Sequence, residues 1–451
     1  MTDTLVVGKS NPIVEALARS PKRRRLYVIS DHANPGLKNM ADDVMVGMTK
    51  DPKVVVDYAK QVKPDFAVIG SEEPLEQGVA DALEAIGIPC VGPKKRTAAL
   101  EYSKAFTREL LSKYGIPGNP KYQIFRNFDN LEEYLRTLDT YVIKPDGLTG
   151  GKGVKVFGEH FSTLAQATAY CKELFEVGHK AVIIEERLDG EEFSFQSFFD
   201  GKHIAHTIPV QDHKRALDDD KGANTGGMGS YSCADHLLPF LTREDVAEAE
   251  NINRLVGEAL LKETGQEYKG ILYGGFMITR DGLRVIEYNS RFGDPEVMNV
   301  LPLLENDFVD VCQAIIDGTL DRLNIQFRRQ ATVCKYLVPR GYPDKSAMTN
   351  GGSIDVSAVG QSPELGNKLR MYYAAVDEDQ GKITLSDSRS LAFVGIADTL
   401  FEAERIAEAA ASSVKGPVFH RRDIGTSQLI QKRVDHVNQL MGREKRRRAT
   451  A

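Results

Sequence analysis

The segment Tyr141-Val142-Ile143-Lys144, followed by Gly147-Leu148-Thr149-Gly150-Gly151-Lys152-Gly153, decides the fold class of the middle of this chain. A glycine-rich turn here stands between one apolar strand and a second strand, Val154 to Phe157, whereas a P-loop would lead into a helix. Glycines let a backbone approach phosphate oxygens, and Lys144 and Lys152 add positive charge. The segment therefore predicts a phosphate-gripping hairpin; the alternative is a flexible surface hairpin with incidental lysines.

Before this hairpin, short apolar strands alternate with amphipathic helices. The predicted strands are Leu5 to Val7, Leu26 to Ile29, Phe66 to Ile69 and Ile88 to Val91. Such alternation is typical of a parallel sheet with helical crossovers. We therefore predict a Rossmann-like N-terminal domain that ends after a helix from Ser103 to Tyr114.

After the hairpin, the patterns predict a hairpin-bearing sheet rather than a wound one, so the chain is expected to be an α/β and α+β multidomain protein. The strand Ala181 to Glu185 completes a small lid subdomain. Ser194 to Phe199 alternates with period two and turns at Asp200-Gly201, which predicts a β-hairpin. The basic run at the end of the chain is expected to be solvated. The predicted domains are 1–118 (Rossmann-like), 119–325 (with a mobile lid subdomain at about 120–192), 326–430 (small α+β) and 431–451 (basic tail).

Composition excludes several classes of protein. The 451 residues carry a net charge of −6, which gives no general attraction to nucleic acid or anionic membranes. The five cysteines are scattered without a CxxC pair, so neither a disulfide framework nor a cysteine zinc site is indicated. The first apolar run, Leu5-Val6-Val7, is shorter than the core of a secretory leader, so none is expected, and no apolar run reaches about eighteen residues. We expect a cytoplasmic protein that binds neither nucleic acid nor membrane.

Two acidic segments follow apolar strands. The first, Glu185-Glu186-Arg187-Leu188-Asp189-Gly190-Glu191-Glu192, can present backbone groups to adenine and a carboxylate to ribose hydroxyls, although acids at a strand end are commonly solvated. In the second, Leu283 to Asn289, alternate residues share one face, which places Glu287 beside Asn289. Two such oxygen ligands suit Mg²⁺ when substrate phosphates complete its shell; the alternative is an exposed strand end.

Two further motifs are candidates for binding an anionic substrate. In Ser290-Arg291-Phe292-Gly293-Asp294-Pro295-Glu296, the arginine can hold a carboxylate or phosphate, or pair with a neighbouring acid. Gln211-Asp212-His213-Lys214-Arg215 and Asn224-Thr225-Gly226-Gly227-Met228-Gly229 offer basic side chains opposite a glycine loop. Within them, Met228 is better explained by packing, and His213 has no partner at the spacing of a catalytic triad.

In their order and sequence, these motifs resemble the phosphoribosylamine-glycine ligases, a family of the ATP-grasp superfamily. The resemblance spans roughly Phe66 to Gly425 and implies an N-terminal domain, an ATP-grasp core with a mobile lid, and a C-terminal domain. Besides the segments quoted above, it rests on Leu100-Glu101-Tyr102-Ser103-Lys104-Ala105-Phe106 and Arg422-Asp423-Ile424-Gly425.

The resemblance also implies roles for individual residues. ATP would be bound by Lys104, Lys144, Gly150, Gly151, Lys152, Gly153, Glu185, Glu186 and Leu188, with Glu191 at the ribose. Glu287 and Asn289 would ligate Mg²⁺ or Mn²⁺. Glycine and phosphoribosylamine would face Asp212, Lys214, Asn224, Thr225, Gly226, Gly227, Met228, Arg291, Gly293 and Asp294. Among these, Arg291, Asp212 and Lys214 are the expected catalytic residues.

The implied activity is ATP-dependent ligation of glycine to 5-phosphoribosylamine in de novo purine biosynthesis. The glycine carboxylate would be activated as glycyl phosphate and then attacked by the amine, so positioning and electrostatics would carry most of the catalysis. The expected partners are therefore small molecules only, and the chain is expected to be a monomer or a weak dimer.

The first loop of this sequence departs from the family pattern. That pattern is Gly-Asn-Gly-Gly-Arg-Glu-His-Ala, whereas this chain has Gly8-Lys9-Ser10-Asn11-Pro12-Ile13-Val14-Glu15. Lys9, Ser10 and the N-terminus of a helix opened by Pro12 are expected to bind phosphate instead. Two alternatives remain: an ATP-grasp paralogue for another amine or amino acid, and a catalytically silent nucleotide-binding regulator. Retention of the metal pair and the lysines argues against the silent protein.

Overall fold

A parallel five-stranded sheet in the order β3-β2-β1-β4-β5 forms the N-terminal domain. The computed structural model describes residues 1–149, 153–348, 352–359 and 363–442. The domain's elements are β1 (Thr2–Val7), α1 (Asn11–Ala18), β2 (Arg23–Ser30), α2 (Pro35–Met40), β3 (Asp43–Val46), α3 (Pro52–Val62), β4 (Phe66–Ile69), α4 (Glu72–Gln77), α5 (Val79–Glu84), β5 (Cys90–Val91) and α6 (Lys95–Tyr102). The apolar runs of β1 and β4 are buried because helices cover both faces of the sheet. The predicted Rossmann-like domain is confirmed.

The lid subdomain is a separate antiparallel sheet in the order β6-β9-β7-β8. Its own apolar core includes Leu131, Ile143 and Cys171. The predicted turn does join two paired strands, and Gly150, Gly151 and Lys152 within it lie outside the described residues. The elements of this part are α7 (Lys104–Lys113), β6 (Tyr122–Phe125), α8 (Leu131–Arg136), β7 (Tyr141–Pro145), β8 (Lys155–Val156), α9 (Leu164–Glu176) and β9 (Val182–Glu186).

The central domain is built on an antiparallel sheet in the order β11-β10-β16-β17. Its elements are β10 (Gly190–Asp200), β11 (Ile204–His206), β12 (Gln211–Asp212), β13 (Arg215–Leu217), β14 (Lys221–Asn224), β15 (Gly229–Ser232), α10 (Arg243–Thr264), β16 (Lys269–Thr279), β17 (Gly282–Asn289), α11 (Val297–Val300) and α12 (Phe308–Asp317). The predicted hairpin at Asp200-Gly201 is confirmed, since β10 pairs with β11. Residues 193–200 are buried on both faces, so their alternation marks two buried layers rather than a solvent face.

The C-terminal sheet continues into the central domain. Its order is β12-β15-β18-β23-β20, so the strands that carry Gln211-Asp212 and Gly229 belong to it, although they precede the predicted boundary at 325/326. The added elements are β18 (Ala331–Pro339), β19 (Ser353–Ile354), β20 (Leu369–Tyr373), β21 (Val376–Asp379), β22 (Lys382–Leu385), β23 (Leu391–Ala397), α13 (Leu400–Ser413), β24 (Val418–Phe419) and α14 (Ser427–Leu440). The antiparallel sheet with one long helix fits the predicted α+β pattern.

Helix α14 occupies much of the segment 431–451 that was predicted as a tail. It begins after the N-cap Thr426, buries Leu429, Ile430 and Val437, and packs against β10. The predicted boundary at 430/431 therefore falls inside a helix, and residues 431–440 are docked on the central domain. Residues 443–451, which hold the basic run, lie outside the described part. Within the described ranges, no helix combines the length and apolarity needed to cross a membrane.

Candidate active site

A cleft lies over one face of the central sheet, between that face and the segment from β12 to β13. The strand register places Ser194 of β10 opposite Gly275 of β16, and Gly275 opposite Glu287 of β17. A side chain at position 275 would lie 3.3 Å from Cγ of Glu287, so glycine keeps the space beside this carboxylate open. The lining residues are Glu192, Phe193, Ser194, Asp212, Lys214, Tyr273, Gly275, Ile286 and Glu287.

The predicted metal pair lies at the end of β17. Oε1 of Glu287 is 3.3 Å from Nζ of Lys214. One end of the Asn289 amide faces two acceptors, Oε1 of Glu101 at 3.1 Å and the Tyr288 carbonyl at 3.2 Å, so this end is assigned as Nδ2 and the opposite end, which faces donors, as the oxygen. Among the described residues, no group of three or more His, Cys, Asp or Glu is arranged to hold a metal ion. A cation at this pair would therefore take its other ligands from substrate and water.

Lysines from three different elements surround Glu287. Lys214 contributes most to lowering the pKa of Glu287 to about 2, and Lys144 and Lys104 add to the effect. Nζ of Lys104 donates to the Gly147 carbonyl at 2.8 Å, and Nζ of Lys144 donates to the Ile286 carbonyl at 3.3 Å. Burial lowers the pKa of Lys104. This concentration of positive charge beside two metal-ligating oxygens suits a polyphosphate.

Glu185 anchors the lid side of the cleft and does not face an adenine pocket with its carboxylate. It is buried and pairs with Nε of Arg108 and with Nζ of Lys144, each at 2.7 Å. Burial favours a higher pKa for Glu185, but the two cations outweigh it and the pKa is lowered. The Glu185 side chain therefore holds Lys144 in place, and a backbone contact of Glu185 with adenine stays a prediction. For Glu186 and Leu188, which lead into the linker from β9 to β10, adenine contact stays a prediction.

The expected ribose contact of Glu191 is contradicted by the direction of its side chain. Glu191 lies beside α14, where Nδ1 of His436 is 2.7 Å from Oε1 and Nε of Arg433 is 3.3 Å from Oε2. Glu192 faces the cleft instead, with Oε2 at 3.6 Å from Nζ of Lys214. Successive strand residues point to opposite faces, so the alternation of β10 was the signal that could have identified Glu192.

Asp212 and the loop of residues 224–229 lie on the opposite side of the cleft. Burial, helped by Glu296, raises the pKa of Asp212 well above its usual range. The backbone of Gly227 passes so close that a Cβ there would lie 2.7 Å from Oδ1 of Asp212, and its φ of +113° also favours glycine. Thr225 Oγ1 accepts from the Gly227 amide at 3.0 Å. The backbone of this loop therefore packs directly against the Asp212 carboxylate. The expected contact of Asn224 with substrate stays a prediction.

Arg389, which no sequence motif singled out, joins the two substrate loops. It donates to the carbonyls of Gly226 at 2.9 Å, Gly227 at 3.1 Å and Asp294 at 2.9 Å. The Asp294 carboxylate also accepts from Arg389 at 2.9 Å and from Tyr336 at 2.7 Å. Asp294 therefore links the site to the C-terminal domain, and its side chain stays 35% exposed, so its substrate contact stays a prediction.

Two other expected substrate residues serve packing. The Met228 side chain is fully buried, which agrees with the packing interpretation of that side chain, and a substrate contact through the backbone of this loop stays a prediction. The Gly293 amide donates to Oε1 of Gln196 at 2.9 Å, and a Cβ at Gly293 would lie 2.5 Å from Oε2 of Glu296. Gly293 is therefore required by close packing beside the cleft.

Arg291 is held by two carboxylates of the N-terminal domain. Its Nη2 is 3.0 Å from Oε1 of Glu101, and its Nε is 3.2 Å from Oε2 of Glu72. Burial raises the pKa of Glu101 to about 7, and the guanidinium opposes that rise. Neither acid was predicted as a site residue, although Glu101 lies in the motif Leu100 to Phe106 that resembles the family. A direct contact from Arg291 to substrate stays a prediction.

Lys9 and Ser10 lie at the crevice of the parallel sheet. They follow β1, and Glu72 opens α4 shortly after the neighbouring strand β4. The strand order reverses at β1, and ligands of such sheets bind outside the carboxyl ends of the strands at this point. Ser10 is the N-cap of α1 but makes no side-chain cap bond. Arg291, and to a smaller extent Lys9, lower the pKa of Glu72, which places this crevice beside Arg291.

Family models match the chain in three consecutive segments. Residues 3–101 match the phosphoribosylglycinamide synthetase N domain, residues 102–297 its ATP-grasp (A) domain, and residues 332–427 its C domain. These matches confirm the predicted ATP-grasp core between an N-terminal and a C-terminal domain.

Relatives match over nearly the full length. The chain is 48% identical over 435 residues to phosphoribosylamine–glycine ligase of Methanocella arvoryzae, covering 96% of this chain and 98% of that protein. It is 46% identical over 446 residues to that of Methanocaldococcus jannaschii, covering 97% and 99%. The crystal structure of phosphoribosylamine–glycine ligase from Thermotoga maritima has a TM-score of 0.76 at 26% identity, covering 93% of this chain and 99% of that chain.

Proposed function

Because this chain belongs to the phosphoribosylglycinamide synthetase family, we propose that its cleft ligates glycine to 5-phosphoribosylamine at the expense of ATP. The products are glycinamide ribonucleotide, ADP and phosphate, and the reaction belongs to de novo purine biosynthesis. The enzyme is an ATP-grasp carbon–nitrogen ligase. The observation that carries the proposal is the convergence of Glu287 and Asn289 with Lys104, Lys144 and Lys214 around one cleft.

ATP would lie from the linker after β9 to the metal pair. The backbone around Leu188 would contact adenine, Glu192 the ribose, and Lys104 and Lys144 the phosphates. The hairpin that contains Gly150, Gly151, Lys152 and Gly153 would close over the phosphates. We expect this closure to exclude water from the acyl phosphate.

Glu287 and Asn289 fit Mg²⁺ or Mn²⁺. The Glu287 carboxylate is kept ionised by its lysines, and the amide end assigned as Nδ2 faces Glu101, which puts the Asn289 oxygen at the opposite end of the amide. Hard oxygen ligands of this kind hold such cations together with phosphate oxygens. When bound, the ion would offset the negative charge of the triphosphate.

The reaction would proceed in two steps. A glycine carboxylate oxygen attacks the γ-phosphorus of ATP while the bond to ADP breaks, which gives glycyl phosphate. The nitrogen of phosphoribosylamine then attacks the acyl carbon, phosphate leaves and the nitrogen loses a proton. Lys214 would offset the charge of the reacting carboxylate, Arg291 would orient substrate, and Asp212, whose pKa is raised by burial, would accept the proton.

The phosphate of phosphoribosylamine would bind at the crevice after β1. Lys9 supplies a positive charge, Ser10 an unused hydroxyl, and the first turn of α1 its backbone amides. Glu72, on the other side of the crevice, links this position to Arg291. The loop therefore replaces the glycines and arginine of the family pattern with a lysine and a helix N-terminus.

The cellular context is part of the same proposal. All five cysteines are free and four are buried, which supports a reducing, cytoplasmic location. The predicted state of monomer or weak dimer stays a prediction.

Glycine labelled with ¹⁸O in both carboxylate oxygens tests the proposed reaction. Activation as glycyl phosphate predicts that one label appears in inorganic phosphate and the other stays in the product amide. Lys9→Ala is expected to raise the KM for phosphoribosylamine roughly tenfold without changing that for ATP, which corresponds to about 1.4 kcal/mol. Label transfer with an unchanged KM would assign the phosphate to other groups. Label transfer to phosphate with another amine, but none with phosphoribosylamine, would favour the paralogue.

A further inference from the structure

Glu101, near the end of α6, is buried between the N-terminal domain and the end of β17. Its side chain is 5% exposed. Oε2 accepts from the Ser290 amide at 2.7 Å, and Oε1 lies 3.0 Å from Nη2 of Arg291. Oε1 also lies 3.1 Å from the end of the Asn289 amide that faces only acceptors, which assigns that end as the donor Nδ2. Three consecutive residues of the site thus donate to one carboxylate from another domain.

Only a carboxylate satisfies these donors together. Both oxygens of an ionised Glu accept hydrogen bonds, whereas a Gln of the same shape has one acceptor and one donor. Because Ser290 donates to one end of Glu101, a Gln that keeps this bond would present its NH₂ group to Asn289 and Arg291. The Asn289 amide would then turn its oxygen towards residue 101 and its NH₂ group towards the cation, which an NH₂ group cannot ligate.

We infer that Glu101 is a positioning residue that fixes the Asn289 amide with its oxygen towards the metal site and holds Arg291 beside it. The inference rests on the proposed role of Glu287 and Asn289 as metal ligands. It assigns the orientation of a ligand in the central domain to a residue of the N-terminal domain. The phosphoribosylamine crevice and the metal site are therefore joined through Glu72, Arg291 and Glu101.

The test is Mn²⁺ binding by the full chain in saturating ADP, followed by electron paramagnetic resonance. Glu101→Gln is expected to weaken Mn²⁺ binding about 10- to 100-fold, the usual cost of losing an outer-shell partner. ADP binding without metal should stay within about twofold of the wild type, since removing a contact to Asn289 leaves the lysines in place. Mn²⁺ binding equal to that of the wild type would overturn the inference.

A double variant that exchanges the carboxylate of position 101 and the amide of position 289 is expected to restore Mn²⁺ binding. In the double variant E101Q/N289D, the NH₂ group of the amide introduced at position 101 can donate to one oxygen of the carboxylate introduced at position 289. The other oxygen of that carboxylate then stays available for the cation. Mn²⁺ affinity should therefore return to within about threefold of the wild type. A double variant that folds but does not regain Mn²⁺ overturns the inference, and this comparison remains decisive if E101Q alone fails to fold.

Glu72→Gln is the matched control, because Glu72 also contacts Arg291 but is not the carboxylate to which the Asn289 amide donates. Its Mn²⁺ affinity should change by less than about threefold. An equal loss in E72Q and E101Q would assign the effect to Arg291 and contradict the role given to Asn289. If the wild-type chain binds no Mn²⁺ in the presence of ADP, Glu287 and Asn289 are not the metal ligands. This result concerns the wild type alone, so it can be told apart from a failure of the role given to Glu101.

Discussion

Glu185→Gln is expected to destabilise the chain strongly, whereas Glu186→Gln is expected to have little effect on stability. Glu185 is 4% exposed and is the shared partner of Arg108, 3% exposed, and Lys144, 10% exposed. The substitution leaves two buried cations without a carboxylate. Breaking a buried pair in this way costs about 3–5 kcal/mol. Glu186 accepts one hydrogen bond at the surface, and Glu186→Gln should cost less than about 1 kcal/mol.

Urea unfolding followed by circular dichroism measures this difference in the free energy of unfolding. Both variants replace one glutamate of β9 by glutamine, and they differ in the face of the strand that loses its charge. Any effect of losing one negative charge from the chain is therefore the same in both. The KM for ATP should also rise roughly tenfold in Glu185→Gln, because Lys144 loses the anchor that holds it beside Glu287. A loss of stability within about 1 kcal/mol of that of Glu186→Gln would refute the reasoning.

Three further changes test other parts of the account. Glu192→Gln should raise the KM for ATP several-fold, measured by steady-state kinetics, while Glu191→Gln mainly lowers stability; the reverse result would restore the ribose to Glu191. Arg389→Met should raise the KM for the two other substrates roughly tenfold and leave that for ATP unchanged, because each lost charge-assisted bond is worth about 1.5–3 kcal/mol. Burial lowers the pKa of His206 to about 4, against about 6.5 unfolded, so its stabilising effect is complete above pH 6.5 and is lost as the pH falls towards 4. The free energy of unfolding of the wild type should therefore drop between pH 7 and pH 5 by about 1–2 kcal/mol more than that of His206→Gln, and equal drops would contradict the assignment.

Strand patterns in the sequence predicted those parts of the site that lie within a single strand or hairpin. The period of β17 placed Glu287 beside Asn289, but the pairing with β16 shifts register between Val285 and Glu287, which interrupts the predicted common face with Leu283 and Val285. The turn after Lys144 was found between two paired strands. The same rule, applied to β10, would have chosen Glu192, but the family resemblance pointed to Glu191. That error arose because two adjacent acids look alike in sequence and differ only in the face to which they point.

Contacts between distant elements could not be predicted. Lys104 and Lys214 reach Glu287 from separate segments, and Arg389 reaches the carbonyl of Gly226 from a loop 163 residues away. The docking of α14 depends on His436 meeting Glu191 across 245 residues. Such pairings depend on how the domains pack, which local periodicity does not encode.

Release of ADP from Mg-ATP is the decisive assay of the proposed ligase, with glycine, with phosphoribosylamine and with both, while glycinamide ribonucleotide is followed by mass. We expect product only when all three substrates are present, with one ADP released for each product molecule. ATP binding without ADP release or product under any of these conditions would contradict the ligase and leave the cleft as a nucleotide-binding site.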